Sequence, residues 1–262
     1  MQLSVVVPAY NERVRIAQSI EKIIAYLQAH HSNGELVVVD DGSSDDTLAI
    51  VKELALRFPQ LRVAELPQNA GKGAAVRHGV MLSQGTHVLI SDADLSTPIE
   101  ETAKLIRAME HGYPIVIGSR ALPESDIQIR QPWYRERMGR IFNGIVQTFI
   151  LRGIHDTQCG LKLLDLQVAK QLFAEQRENG FTFDVEVLLL AKKFGYSVYE
   201  CPVVWKHAEL SRVSPVFDST QMLFALGRIW WRHRGRVSQR SSTLTEAETK
   251  PLKCTRDHKH ET

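Results

Sequence analysis

Five short, mostly apolar runs alternate with longer stretches of helical period in the first 120 residues, and few folds accept that alternation. "LSVVV" (3–7) leads to an amphipathic segment over 12–30, and "ELVVVD" (35–40) leads to one over 45–58. "LRVAEL" (61–66) precedes "GKGAAVRHGVMLS", "THVLIS" (86–91) precedes "PIEETAKLIRAME", and "PIVIGS" (114–119) closes the series. Strands without a polar face, joined through helices, imply a parallel sheet covered on both sides. The expected fold is α/β: a Rossmann-like, mostly parallel sheet with helices on both faces.

The second half is less regular. A helix is expected over 133–151, the segment 156–164 begins as a loop, 183–195 reads as a helix stopped by Gly195, and 197–205 reads as a strand. At 262 residues, 44% of them hydrophobic, the chain can bury one sizeable core. We expect a single domain over 1–234, with a nucleotide-binding half at 1–120 and an acceptor-side half at 121–234; the polar stretch 235–262 reads as a disordered tail. A formal net charge of +2 is nearly balanced and argues against a dedicated nucleic-acid binder. Basic residues do cluster at 130–140 and 228–240, where arginine is mixed with tryptophan. Three cysteines without CxxC spacing suit a reducing cytosol. "MQLSVVVPAYNE" has no basic leader and its apolar run stops at Pro8, so it reads as a strand and not as a signal peptide. The apolar stretch 141–151 falls short of the roughly 18 residues that a spanning helix needs, so no integral membrane segment is expected.

Ligands of such sheets bind beyond the carboxyl ends of the strands, which here are followed by the polar loops 8–12, 40–46, 69–72, 92–96 and 119–120. The first turn, "PAYNE", lacks the glycines that let a backbone approach a dinucleotide pyrophosphate, so a dehydrogenase is disfavoured. A single nucleotide suits the loops better: Tyr10 offers a flat face or a hydroxyl, and Glu12 and Asp40 can accept from hydroxyls or base N–H groups. In "DDGSSDDT", helix capping accounts for the serines and Asp45 and leaves Asp40 and Asp41 unexplained. Asp92 and Asp94 leave the fourth strand at alternate positions, where alternation points both to one side. Two like charges so placed call for a cation, and Mg2+ or Mn2+ bound by one or two carboxylates plus phosphate oxygens fits. The competing explanation is capping by Asp94 or Ser96 before Pro98.

Taken in order, "VVVPAYNE", "VVVDDGSSDDT", "NAGKGAAVRHG", "ISDADLSTP", "VIGSR" and "DTQCGLKLL" resemble the inverting family 2 glycosyltransferases with the GT-A fold, in particular the dolichyl-phosphate (polyprenyl-phosphate) β-glucosyltransferases, with dolichyl-phosphate mannosyltransferases next. The resemblance covers about residues 3–215. It implies that Pro8, Tyr10, Glu12 and Asp40 hold the nucleotide, with Lys72 near the donor, and that Asp92 and Asp94 hold the metal and the diphosphate. Arg120 would approach the donor phosphates or sugar, Arg135 or Arg137 the acceptor phosphate, and Lys206 and Arg212 belong to a late segment that closes over the donor. Three departures stand out. No membrane helix is read at either end, Leu161 stands where an aromatic residue is common, and Arg212 where a lysine is frequent.

The chemistry so implied moves a hexose, UDP-glucose being the favoured donor, to a polyprenyl or dolichyl phosphate that is already anionic and needs positioning more than a general base. Asp92, Asp94, Arg120 and Arg135 are the expected catalytic set. Trp133, Phe142, Phe149, Trp230 and Trp231 lie beside arginines, a mixture suited to the headgroup zone, so peripheral contact with the cytoplasmic face of a membrane is expected. Two rivals remain at this stage. One is a same-fold enzyme with a hydroxyl acceptor, which needs a positioned carboxylate base; the other is a catalytically silent nucleotide-sugar binding protein. Asp156 reads as a base, as support for one, or as a turn or capping residue.

Overall fold

The computed structural model describes residues 2–129, 133–206 and 217–234; the side chains of Arg135 and of residues 217–220 lie outside that description. The strands are β1 (Leu3–Ala9), β2 (Glu35–Asp40), β3 (Leu61–Glu65), β4 (His87–Ile90), β5 (Ile115–Ser119), β6 (Asp126–Ile129), β7 (Lys162–Asp165), β8 (Val198–Pro202) and β9 (Val204–Lys206). Seven of them form one sheet in the order β3-β2-β1-β4-β7-β5-β8, and β6 pairs with β9 beside it. All neighbours in the large sheet run parallel except β7, which is antiparallel to both β4 and β5. The order turns around at β1, between β2 and β4, and this is the switch point where such sheets open a crevice.

The helices are α1 (Ile16–His30), α2 (Thr47–Arg57), α3 (Lys72–Leu82), α4 (Thr102–Glu110), α5 (Trp133–Phe149), α6 (Leu166–Glu175), α7 (Phe183–Lys193) and α8 (Phe217–His233). Two cores form because alternate residues of each strand face opposite ways. Val5, Val7, Leu36 and Val38 pack with Ile16, Ile20, Ile23 and Leu27 of α1, Val51 of α2 and Leu105 of α4. Val6, Val37, Val39 and Ile117 pack with Val76 of α3, Phe142 and Val146 of α5, Phe173 of α6, Leu188 of α7 and Leu226 of α8. In α1 the buried isoleucines recur at helical spacing, and each contributes about 1.5–3 kcal/mol by leaving water. Gly195 ends α7 as expected: at φ +81° it closes a turn in which the Tyr196 N–H bonds the Ala191 carbonyl and the Gly195 N–H that of Lys192.

Three expectations change. The helix expected from residue 12 begins at Ile16, because residues 10–15 are taken up by loop contacts. The strand expected over 197–205 is two strands broken at Val203, so that β8 joins the large sheet and β9 leaves it for β6. Of the five aromatics beside arginines, Phe142 takes the core place open to any single one and is buried in the second core. Asp92 and Asp94 do not continue β4, which stops at Ile90; they sit in a turn where Leu95 has φ +48°, so strand alternation does not set their directions. The expected tail, 235–262, and Arg130 and Arg212 lie outside the described residues.

Candidate active site

The five loops expected from the first half meet at the carboxyl edge of the large sheet, where β8, parallel to β5, also ends. A further segment comes from β7, which runs backwards and so delivers its first residue, Lys162, to the edge where β4 and β5 end: Lys162 is in register with both Ile90 and Ile117. The loop "DTQCG" before it is thereby set beside Asp92.

The first two loops are laced together. Asn11, held at φ +54°, accepts the backbone N–H of Ser44 on its Oδ1 at 2.8 Å and that of Asp45 at 3.3 Å, while its own N–H donates to Ser43 Oγ. Thr47 Oγ1 takes the Glu12 N–H at 2.7 Å. Asp41 latches the third loop: its carboxylate accepts from the backbone N–H of Ala70 (2.8 Å) and Gly71 (2.9 Å) and from Asn69 Nδ2 (3.1 Å). This is a structural task that capping had not explained. Asp40, only 1% exposed, accepts from the Ser43 N–H through Oδ2, and its Oδ1 is buried with no hydrogen-bond partner among the described residues. A buried carboxylate oxygen left without a partner at the end of β2 is one that a donor brought by a ligand would satisfy.

Asp92 and Asp94 face separate cations. Asp92 Oδ1 lies 2.6 Å from Lys72 Nζ; Asp94 Oδ1 accepts the Ser96 N–H at 2.9 Å while Oδ2 stands 4.0 Å from Arg15 Nη1. Arg15 grips both oxygens of Glu12, with Nη2 to Oε1 at 2.8 Å and Nε to Oε2, and its Nη1 is buried without a hydrogen bond among the described residues. Behind Lys72 a buried pair, Lys162 Nζ to Asp184 Oδ1 at 2.8 Å, continues an alternation of charge, and Lys162 also donates to the Cys159 carbonyl. Burial pushes the Asp92 pKa up, but Lys72, Lys162 and Arg120 together overcome it and hold the carboxyl below its usual range. Lys72 is held charged the same way: Asp92 and Asp184 outweigh its burial and raise its pKa. For Asp184 burial prevails over Lys162 and Lys72 and its pKa goes up.

Arg120 follows β5 and is pinned by Asp156, which accepts its backbone N–H (2.9 Å), Nε (2.7 Å) and Nη2 (2.9 Å). Asp156 is buried, and its own N–H donates to Glu200 Oε1 at 2.9 Å. Burial pushes its pKa up, but Arg120 outweighs burial and lowers it, and its three contacts fix the orientation of the guanidinium. Arg120 also lies over the Trp205 ring at 5.6 Å. The next residue, Lys206, donates its N–H to the Ser96 carbonyl at 2.8 Å, which joins β9 to the aspartate turn. Pro8 is buried in β1 and Tyr10 is exposed at its end. Arg137 is exposed on α5 and stacks on Trp133 at 5.5 Å; Arg135 lies in the first turn of that helix.

No cluster of three or more His, Cys, Asp or Glu side chains able to hold a metal occurs among the described residues. Asp92 and Asp94, two residues apart in one turn and with no soft ligand, are the donor type that suits a hard divalent cation completing its shell with phosphate oxygens and water. Sequence reasoning missed Arg15, Gly160, Lys162 and Asp184. A Cβ at Gly160 would overlap the Asp92 carboxylate, so only glycine leaves that group its place. A lysine inside "LKLL" and an aspartate opening "FDVEVLLL" are charges in runs destined for burial, and such residues mark paired functional groups.

This arrangement, acidic and basic groups alternating along the carboxyl edge of a mixed sheet at its switch point, is that of a nucleotide-sugar transferase. The chain belongs to glycosyl transferase family 2, whose model matches residues 4–173. Among curated proteins it is 34% identical over 243 residues to the dolichyl-phosphate beta-glucosyltransferase of Dictyostelium discoideum, covering 88% of this chain and 74% of that one. To the enzymes of the same name from Homo sapiens and Saccharomyces cerevisiae it is 33% identical over 234 residues (84% and 72% covered) and 34% over 238 residues (84% and 71% covered). Among solved structures it resembles Mycobacterium tuberculosis glucosyl-3-phosphoglycerate synthase, with a TM-score of 0.65, 20% identity and 87% and 80% of the two chains covered. That synthase has also been solved with Mn2+, UDP and glucosyl-3-phosphoglycerate (TM-score 0.64, 20% identity, 87% and 79% covered). Mannosyl-3-phosphoglycerate synthase from Rubrobacter xylanophilus gives a TM-score of 0.67 at 19% identity, covering 93% and 78%. The fold is GT-A and the chain is a glycosyltransferase.

Proposed function

We propose that the enzyme transfers glucose from UDP-glucose to a polyprenyl phosphate of the dolichyl type, with inversion at the anomeric carbon. The observation that carries the donor side is Asp40: a buried carboxylate oxygen without a partner, at the end of β2 and at the edge shared with Asp92 and Asp94. The names of the curated relatives support glucose and the lipid phosphate. In this reading Pro8, Tyr10, Glu12 and Asp40 receive the nucleoside, and Lys72 meets the diphosphate with its charge already fixed by Asp92. Lys206 and Arg212 cover the donor. Arg120, held rigid by Asp156, directs its remaining N–H groups at the reacting phosphates. Arg135 or Arg137 positions the acceptor.

An oxygen of the acceptor phosphate attacks the anomeric carbon from the face opposite the nucleotide. The bond to the diphosphate oxygen breaks as the new one forms, its electron pair stays with UDP, and an α-linked donor yields a β-linked product. Asp92 and Asp94 would hold a divalent cation, Mg2+ or Mn2+, which when bound would supply positive charge for the departing diphosphate. A phosphate acceptor brings no proton that must be removed, and this agrees with Asp156 being committed to Arg120. A hydroxyl acceptor would need the base that Asp156 does not supply.

No helix among the described residues is long and apolar enough to cross a membrane. Meeting a lipid substrate then falls to a surface. Trp133, Ile141 and Phe149 on α5 and Phe224, Trp230 and Trp231 on α8 are all more than half exposed, next to Arg137, Arg228, Arg232 and Arg234. Rings and guanidinium groups so mixed suit an interfacial position on anionic lipid, and we place the enzyme on the cytoplasmic face. The test is a transfer assay with the whole chain, several nucleotide sugars and polyprenyl phosphate, with Mg2+, with Mn2+ and with chelator, read by mass spectrometry. The expected product is hexosyl-phosphoryl lipid from UDP-glucose in the presence of metal. Transfer to a hydroxyl acceptor, with none to the lipid phosphate, overturns the proposal.

A further inference from the structure

Two buried carboxylates link α8 to the donor end of the sheet, and the chemistry above uses neither. Glu186 on α7 is fully buried. Its Oε2 accepts the backbone N–H of Arg177 at 2.8 Å and of Glu178 at 2.5 Å, and its Oε1 faces His233 Nε2 at 2.7 Å and Arg232 Nη1 at 3.3 Å, both from the last turn of α8. Against its burial, His233 and these two N–H groups hold its carboxyl below the usual range. Glu178 takes Arg228 of the same helix at 3.0 Å, and Lys193 donates to the His233 carbonyl. The segment so gripped ends at Asn179, whose carbonyl accepts the N–H of Gly73 at 2.7 Å, a donor of the first turn of α3, and at 3.3 Å shares the N–H of Ala74 with the Gly71 carbonyl, which takes it at 2.9 Å. The approach is tight: a Cβ on Gly71 would lie 2.5 Å from the Asn179 carbonyl oxygen, and one on Gly73 2.5 Å from that of Glu178. Between those two glycines stands Lys72, with its ammonium on Asp92.

We infer that Glu186 is a positioning residue: through the 177–179 turn it fixes the first turn of α3, and so Lys72, making α8 a structural part of the donor site. A buried ion cluster is a poor device for stability alone, since apolar packing would serve as well; what it specifies here is one geometry for two backbone N–H groups and the turn they begin. The inference rests on the reading of Lys72 as a donor contact, and its test separates the two.

The variants are Glu186→Gln, which keeps the shape and an acceptor oxygen, and Arg232→Met on the outer side of α8, where folding is not at risk. Amide hydrogen exchange is followed in the peptide covering Gly73 and Ala74. UDP affinity with Mn2+ is measured for wild type, Glu186→Gln, Lys72→Met and the double variant. Glu186→Gln should speed exchange at Gly73 and Ala74 and weaken UDP binding, each about tenfold; Arg232→Met should act in the same direction and less, and the double variant should bind no worse than Lys72→Met alone. Amides of β1 and β2 should stay as protected as in wild type. Unchanged exchange at Gly73 and Ala74, with loosening confined to α8, overturns the inference, as do losses of UDP affinity that add in the double variant. Absence of UDP binding by the wild type would overturn the donor reading, and the exchange measurement would still decide the role of Glu186.

Discussion

Asp92 is held from three directions: Lys72 bonds one oxygen, Lys162 and Arg120 add positive potential, and Gly160 leaves room for the other oxygen. Gly160→Ala should therefore displace the carboxylate and cost about 100-fold in kcat while leaving the melting temperature nearly unchanged, a combination that kinetics and calorimetry together detect. Asp94→Asn removes charge and keeps shape; turnover should drop about 100-fold, and the Mn2+-dependent gain in UDP affinity should vanish in a titration. The Lys72–Asp92 pair also has a pH signature. Asp92 has its pKa lowered on folding, so its stabilisation is complete above the ordinary carboxylate range and is lost as pH falls through its folded value. Lys72 has its pKa raised, so its share is complete below the ordinary lysine range. Denaturant unfolding should show wild type exceeding Lys72→Met by a constant margin between about pH 5 and 9, with the margin closing below about pH 4. A margin independent of pH would mean that Lys72 stabilises through packing alone.

The loops of this site are elements in their own right, since side chains and not sheet pairing fix their shape. Asn11 does two jobs, tolerating φ +54° and accepting N–H groups from the 43–45 turn. Asn11→Gly loses one job and Asn11→Ala both, so unfolding experiments should find the alanine variant less stable than the glycine variant by about 1 kcal/mol. Where a strand ends was readable from the sequence because a buried run cannot take charge, and "VVVD" and "VLISD" announce their own stopping points. That Asp40, Asp92 and Asp94 lie at the carboxyl edge of the sheet was readable for the same reason. What was not readable depends on partners far along the chain. Nothing in "KLLD" tells that it runs antiparallel between β4 and β5, and Val203 breaks "SVYECPVVW" only because β9 pairs with β6. Lys162 and Asp184 explain each other once folded and look like isolated anomalies before.

At the scale of the whole molecule, the carboxyl edge of the sheet and the exposed aromatic surface of α5 and α8 share one core, into which α8 packs Leu226. Trp230→Ser with Trp231→Ser should reduce sedimentation with anionic vesicles at least tenfold and leave transfer to detergent-solubilised polyprenyl phosphate close to normal, provided the rings only dock the protein. Equal loss in detergent would place those rings at the acceptor instead. The backward strand β7 has a different consequence, one that concerns biosynthesis. The parallel strands β3, β2, β1 and β4 can pair while the chain is still being made, but the centre of the sheet stays open until Lys162–Asp165 leaves the ribosome and slots between β4 and β5. Until then β4 is a bare apolar edge, a template for pairing with another chain. A chain truncated ahead of residue 162 should therefore aggregate where the whole chain stays dispersed, which light scattering of the two would read.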